Sequence, residues 1–108
     1  MEKPLVEFLS CKCWLKVGRY SNGRVALELV VNEPGPEYPD AYPDEPMATC
    51  TVNLPHVELA PDEVLIKDYS ENAGMLEALT RAKIVEPTGR TVATGFVEVP
   101  VCRLLIAV

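Results

Sequence analysis

Asn22-Gly23 lies between two runs of alternating residues, and no other feature of the chain restricts its fold as strongly. Cys11, Cys13, Leu15 and Val17 alternate with Lys12, Trp14 and Lys16, and Val25, Leu27, Leu29 and Val31 alternate with Ala26, Glu28, Val30 and Asn32. A period of two sends successive side chains to opposite faces, which is the pattern of a half-buried strand. Asn and Gly both tolerate the positive φ that a tight I′ turn demands, so the two runs predict a β-hairpin.

The rest of the chain repeats this pattern with one interruption. Met47 to Leu54 alternates and Pro55 stops it, predicting a third strand; Val64-Leu65-Ile66-Lys67 predicts a brief fourth. Asp68 to Asn72 supplies candidate N-caps, after which Met75, Leu76, Leu79 and Ala82 recur at helical spacing. Glu77 and Arg81 stand four apart on the outer side, and Lys83 complements the C-terminal dipole, so a helix is expected over about 71–83. Pro87-Thr88-Gly89-Arg90 reads as a turn into a fifth strand, Thr91 to Val99, with Gly95 as a bulge or crossing point. Pro100 interrupts, and Val101 to Leu105 reads as a sixth, edge strand. The expected fold is α+β in a single domain, 1–108. It is a twisted antiparallel sheet of about five to six strands, with the helix on one face and a long acidic, proline-rich loop.

That loop is 33–46, EPGPEYPDAYPDEP, with five prolines, five acids and no base. Such proline density removes backbone donors and fixes φ, so an extended polyproline-like course is expected, and connections of this length are commonly functional or disordered. The charge of the whole chain is −6, but it is unevenly placed. Residues 1–24 carry +3, residues 25–80 carry −11 with Lys67 their only base, and residues 81–108 carry +2. This disfavours direct nucleic-acid binding by counterion release. It suits either a solvated face or a surface that meets a basic partner. For the second reading the candidate partner-binding residues are Glu33, Glu37, Asp40, Asp44 and Glu45 with Tyr38 and Tyr42, and Glu58, Asp62, Glu63 and Asp68. The acids would steer association, and the tyrosines would grip Arg or Lys side chains.

Other chemistry is thinly represented. Cys11, Cys13, Cys50 and Cys102 include only a Cys-x-Cys pair, where zinc sites favour a Cys-x₂₋₄-Cys knuckle, so buried core thiols are expected and no metal or cofactor is assigned. His56 is the single histidine, and a nucleophile pair with Cys50 would need the fold to join them. The six glycines stand singly, so no phosphate loop is present. Lys12, Lys16, Arg19 and Arg24, with Trp14 and Tyr20, are a minor candidate for a cationic patch on the first hairpin. MEKPLVEFLS, with Glu2, Glu7 and Pro4, is unlike a signal peptide, and no window approaches ~18 apolar residues. The expected setting is the cytoplasm of a host cell, with reduced thiols and no membrane partner.

The segments GRYSNGRVALEL, ATCTVNLP, IKDYSENAGMLEAL and VEPTGRTVATGFVEVPVCRL resemble a domain-of-unknown-function family of small proteins carried by phages, plasmids and conjugative elements. The resemblance carries no catalytic motif. It implies an accessory protein of a mobile element, of the kind that includes anti-CRISPR and anti-restriction proteins, some of which imitate the charge of DNA. The expected function is therefore non-enzymatic. The acidic surface would occupy a basic nucleic-acid-binding site on a host defence complex, either a defence nuclease or a CRISPR effector. A small enzyme with a site near His56 and Cys50, or a metal-stabilised structural domain, are the alternatives.

Overall fold

In the computed structural model, which describes residues 4–108, seven strands and one helix follow one another. They are β1 (Leu5–Phe8), β2 (Cys11–Arg19), β3 (Val25–Glu33), β4 (Pro46–Thr49), β5 (Glu63–Leu65), a 3-10 turn (Ser70–Asn72), α1 (Met75–Arg81), β6 (Val85–Thr94) and β7 (Val97–Leu104). The fold is antiparallel and α+β, but the single sheet expected from sequence is two sheets. One has the order β1-β2-β3-β4 and the other β5-β7-β6.

The split has a local cause in the segment 46–52. Up to Thr49 it pairs with β3, and the Cys50 amide still donates to Leu27 O at 2.8 Å. The chain then turns to β5: Val52 N donates to Leu65 O, Lys67 N donates to Cys50 O, and Thr51 bridges Ile66. At the crossover the Thr51 side chain takes the place of a ladder acceptor, its Oγ1 accepting from Leu27 N at 3.3 Å. Tyr20 Oη donates to Thr51 O at 3.1 Å and lies 2.7 Å from Oγ1. Leu27 is fully buried and Thr51 nearly so, so these bonds satisfy groups that water cannot reach.

The core follows the alternation. Cys11, Cys13 and Leu15 of β2, and Val25, Leu27, Leu29 and Val31 of β3, are buried. Val17 is the exception, exposed near the end of β2. Val6 and Phe8 of β1 join the same core, although a four-residue strand was not expected there. The helix is shorter than 71–83, because the chain breaks at Gly74, whose φ of 97° lies outside the helical region. It buries Met75, Ala78 and Leu79 and packs beside β1 and β6, the outermost strands of the two sheets.

Three turns also depart from expectation. The first hairpin closes through three residues, with Gly23 N donating to Tyr20 O and Tyr20 N to Arg24 O; only Gly23, at φ 87°, is left-handed. Residues 91–99 are not one strand, since the chain reverses at Gly95-Phe96 between Thr94 and Val97 and leaves Phe96 fully exposed. Pro87 to Arg90 is not a turn but a bulge within β6, fixed by Thr88 Oγ1 donating to Val101 O at 2.8 Å. Pro100 lies inside β7.

Candidate functional site

Residues 34–45 join β3 to β4 as three consecutive tight turns, in place of the expected extended course. Tyr38 N donates to Gly35 O, Ala41 N to Tyr38 O and Glu45 N to Tyr42 O, at 3.0, 3.2 and 3.1 Å. Each turn carries a proline at its second position (Pro36, Pro39, Pro43) and an acid at its third (Glu37, Asp40, Asp44). Proline pre-sets the φ that the second position needs, so the density that forbids helix and sheet drives turn formation here. Asp44, at φ 69°, takes the left-handed third position of a type II turn.

The turns are fastened to the sheet at both ends. Asp44 N donates to Val31 O at 2.7 Å, and Val31 N donates to Glu45 O at 2.9 Å. At the other end Glu37 N donates to Ser10 Oγ, and Gly35 comes so close to the β1–β2 turn that a Cβ there would lie 2.0 Å from Ser10 O. Neither Ser10 nor Gly35 stands out in the sequence, because their roles exist only once β1 forms. Glu37, Asp40 and Asp44 are exposed, as are Tyr38 and Tyr42, and Glu45 is half-buried.

The other candidate acids lie elsewhere and are mostly engaged. Glu33 pairs with Lys12 at 3.8 Å, and Asp62 with Arg103 at 3.7 Å. Glu63 accepts from Ala60 N at 2.8 Å and from Arg90 at 2.6 Å, and these contacts, the backbone amide foremost, hold its carboxyl below the usual range. Asp68 Oδ1 accepts from Gly74 N and Leu76 N, so it caps α1. Among the described residues, Glu37, Asp40, Asp44, Glu45 and Glu58 make no ion pair. Glu58 does not join the other four. Its groove holds Arg24, which donates to Leu54 O and Val57 O. Arg24 adjoins the start of β3, whereas Asp44 and Glu45 are bonded to Val31, about 20 Å along the strand at its rise per residue.

The minor candidates separate as well. Of the cationic candidates, Lys12 pairs with Glu33, Arg19 donates to Gly23 O and Arg24 to two carbonyls, and Lys16 is the register partner of Glu28 across the β2–β3 pair. Cys50 is fully buried, and its thiol is pushed up to about 12 by burial first and then by Cys13 and Glu28. His56 lies on an exposed turn in a groove that Cys50 does not line, so the two do not form a nucleophile pair. Among the described residues no group of three or more His, Cys, Asp or Glu is arranged to hold a metal, and no helix is long and apolar enough to cross a membrane.

Beside the turns, the outer face of the first sheet carries an apolar row that the sequence reading passed over. Leu5, Trp14, Val30 and Pro46 are partners in register across all four strands. Leu5 and Pro46 are exposed, and Trp14 and Val30 half-buried. Only the strand order brings these four together. No family model, curated protein or solved structure matches the chain.

Proposed function

We propose that this chain is a non-enzymatic binding protein that presents the 34–45 turns to a basic protein surface. The partner is a nucleic-acid-binding site on a host defence complex, as the resemblance to mobile-element proteins implies. The observation that supports this most is the state of Glu37, Asp40, Asp44 and Glu45. They are four carboxylates without a base between them, held by proline turns stapled to Ser10 and Val31. A core has no use for such a segment. Anchoring reduces the ordering cost of binding, and like charge at fixed spacing can stand in for phosphates and steer encounter.

The test is competition. Increasing amounts of the chain are added to a DNA-binding restriction complex and to a CRISPR effector, each holding fluorescent duplex DNA, at two salt concentrations. Displacement that weakens with salt is expected, with association slowed about tenfold in the variant Glu37→Gln/Asp40→Asn/Asp44→Asn/Glu45→Gln. DNA that stays bound to both complexes overturns the reading. Equal displacement by the variant removes the turns from it.

A further inference from the structure

We propose that the groove between Trp14 and Asp44 is a receptor for one arginine side chain of the partner, an inference that rests on the function proposed above. The groove has a volume of about 440 Å³ and is lined by Trp14, Leu15, Lys16, Val17, Val30 and Asp44. Trp14 and Val30 are register partners, so the indole and the valine side chain lie side by side on the outer face of the sheet. Asp44 also lines the groove and, among the described residues, makes no ion pair.

The chemistry of the walls selects the occupant. A purely apolar guest would cover an unpaired carboxylate, which is unfavourable unless a cation comes with it. A cation over an indole face is attracted by the ring quadrupole, and a carboxylate at the edge can accept its N–H groups. Guanidinium meets both demands at once, because it is planar, stacks on the ring and donates two parallel hydrogen bonds; ammonium is a compact, strongly hydrated point charge. Lys16 also lines the groove, with Glu28 as its register partner across the β2–β3 pair, so the guanidinium must seat on the Asp44 side of the indole.

The backbone of Asp44 is also held before any guest arrives. Its amide is bonded to Val31 O, one residue beyond Val30 in the groove floor, and the paired bond from Val31 N to Glu45 O completes the staple. With the backbone anchored, only the short Asp44 side chain remains to be ordered on binding. Its neighbours Glu37 and Asp40 belong to the earlier turns and do not line the groove. They add field without contact.

Trp14 is the only tryptophan, so its emission reports on this groove alone. The chain is titrated with acetylated hexa-arginine amide, and with hexa-lysine and hexa-citrulline controls, by fluorescence and by calorimetry in parallel. The expected result is a saturable change in Trp14 emission with hexa-arginine, binding at least about fivefold weaker with hexa-lysine, and none with hexa-citrulline. Asp44→Asn should weaken hexa-arginine binding about tenfold and Asp40→Asn only about twofold. Binding by calorimetry with unmoved Trp14 emission, equal affinity for hexa-lysine, or equal effects of the two substitutions overturns the arginine receptor and leaves the acidic-surface reading standing. No binding of either cationic peptide, together with no displacement of DNA, overturns both.

Discussion

Replacing Thr51 by valine tests whether the side-chain bonds at the crossover hold the two sheets together. The change keeps the shape and removes the hydroxyl. Leu27 N then loses its acceptor inside a fully buried site, and Tyr20 Oη keeps only its bond to Thr51 O. An unsatisfied buried donor costs about 1–3 kcal/mol and a lost hydroxyl contact about 1 kcal/mol, so Thr51→Val should destabilise by about 2–4 kcal/mol. For 108 residues, at an unfolding entropy of about 2.1 cal/mol/K per residue, a loss of about 2 kcal/mol lowers Tm by about 9 °C. Tyr20→Phe leaves Leu27 N satisfied and should lose about 1 kcal/mol. Because both changes strike one network, the double variant should be less destabilised than the sum, by about 0.5–1 kcal/mol. Urea unfolding of the four proteins, followed by far-ultraviolet circular dichroism, gives the cycle. Thr51→Val within 0.5 kcal/mol of the parent, or strict additivity with Tyr20→Phe, would refute the assignment.

Three further outcomes are expected. Gly35→Ala drives a Cβ into the backbone of Ser10, so the 34–45 turns should detach while the sheets persist, and amide exchange at Glu37 and Val31 should accelerate about tenfold or more; unchanged exchange at both amides contradicts this. Glu63 has a folded-state pKa below its unfolded value, so its contribution to stability is present above about pH 4.3 and is lost as the pH falls through the folded value. Glu63→Gln should therefore flatten the loss of stability as the pH falls below about 4.3, and an equally steep acid limb would count against the Ala60 and Arg90 contacts. Cys13 and Cys102 are pushed up to about 11 and Cys50 to about 12, each mainly by burial, so these thiols should resist alkylation at pH 8 and react on unfolding; rapid labelling of the native protein would show that the core opens.

The strands of the first hairpin were legible because one alternating set, Cys11, Cys13 and Leu15 with Val25, Leu27, Leu29 and Val31, faces a core, which is the condition under which a period of two is informative. The reading failed where pairing, not periodicity, decides the outcome. Residues 91–99 alternate without a break, yet the chain reverses at Gly95-Phe96, since alternation on either side of a two-residue turn is continuous with one strand. Val6 and Phe8 alternate over too few residues to be distinguished from a loop, and they become a strand only against β2. The division into two sheets depends on where the 46–52 segment changes partners, a tertiary event written in no single run of residues. The course of 34–45 is different, because its signal was there to be read. Proline followed by Glu or Asp recurs at 36–37, 39–40 and 43–44, and each pair occupies the central positions of a turn. Attention to proline density alone missed the spacing.

The charge asymmetry changes meaning once the partners are known. Acidic and basic blocks along the chain meet in the fold: Lys12 reaches Glu33, Arg90 reaches Glu63, and Arg103 reaches Asp62 as well as Glu86 of its own block. Within the acidic block, Lys67 pairs with Glu71, and Arg81 from just beyond it pairs with Glu77. Exposed pairs of this kind contribute at most about 1 kcal/mol each, so they do little to hold the fold. Their larger effect is to cancel field. A charge that has an opposite neighbour within a few ångströms is felt weakly beyond about 8 Å, the screening length at physiological salt. Among the described residues, the acids of the −11 block that make no ion pair are Glu28, Glu37, Asp40, Asp44, Glu45, Glu58 and Asp68, and four of these are gathered at 37–45. A partner approaching the protein therefore meets an electrostatic feature much smaller than the acidic block, fixed in position beside the Trp14 groove. It follows that the salt dependence of any electrostatic association should track these four carboxylates, and neutralising Glu71 or Glu77 should leave that dependence nearly unchanged.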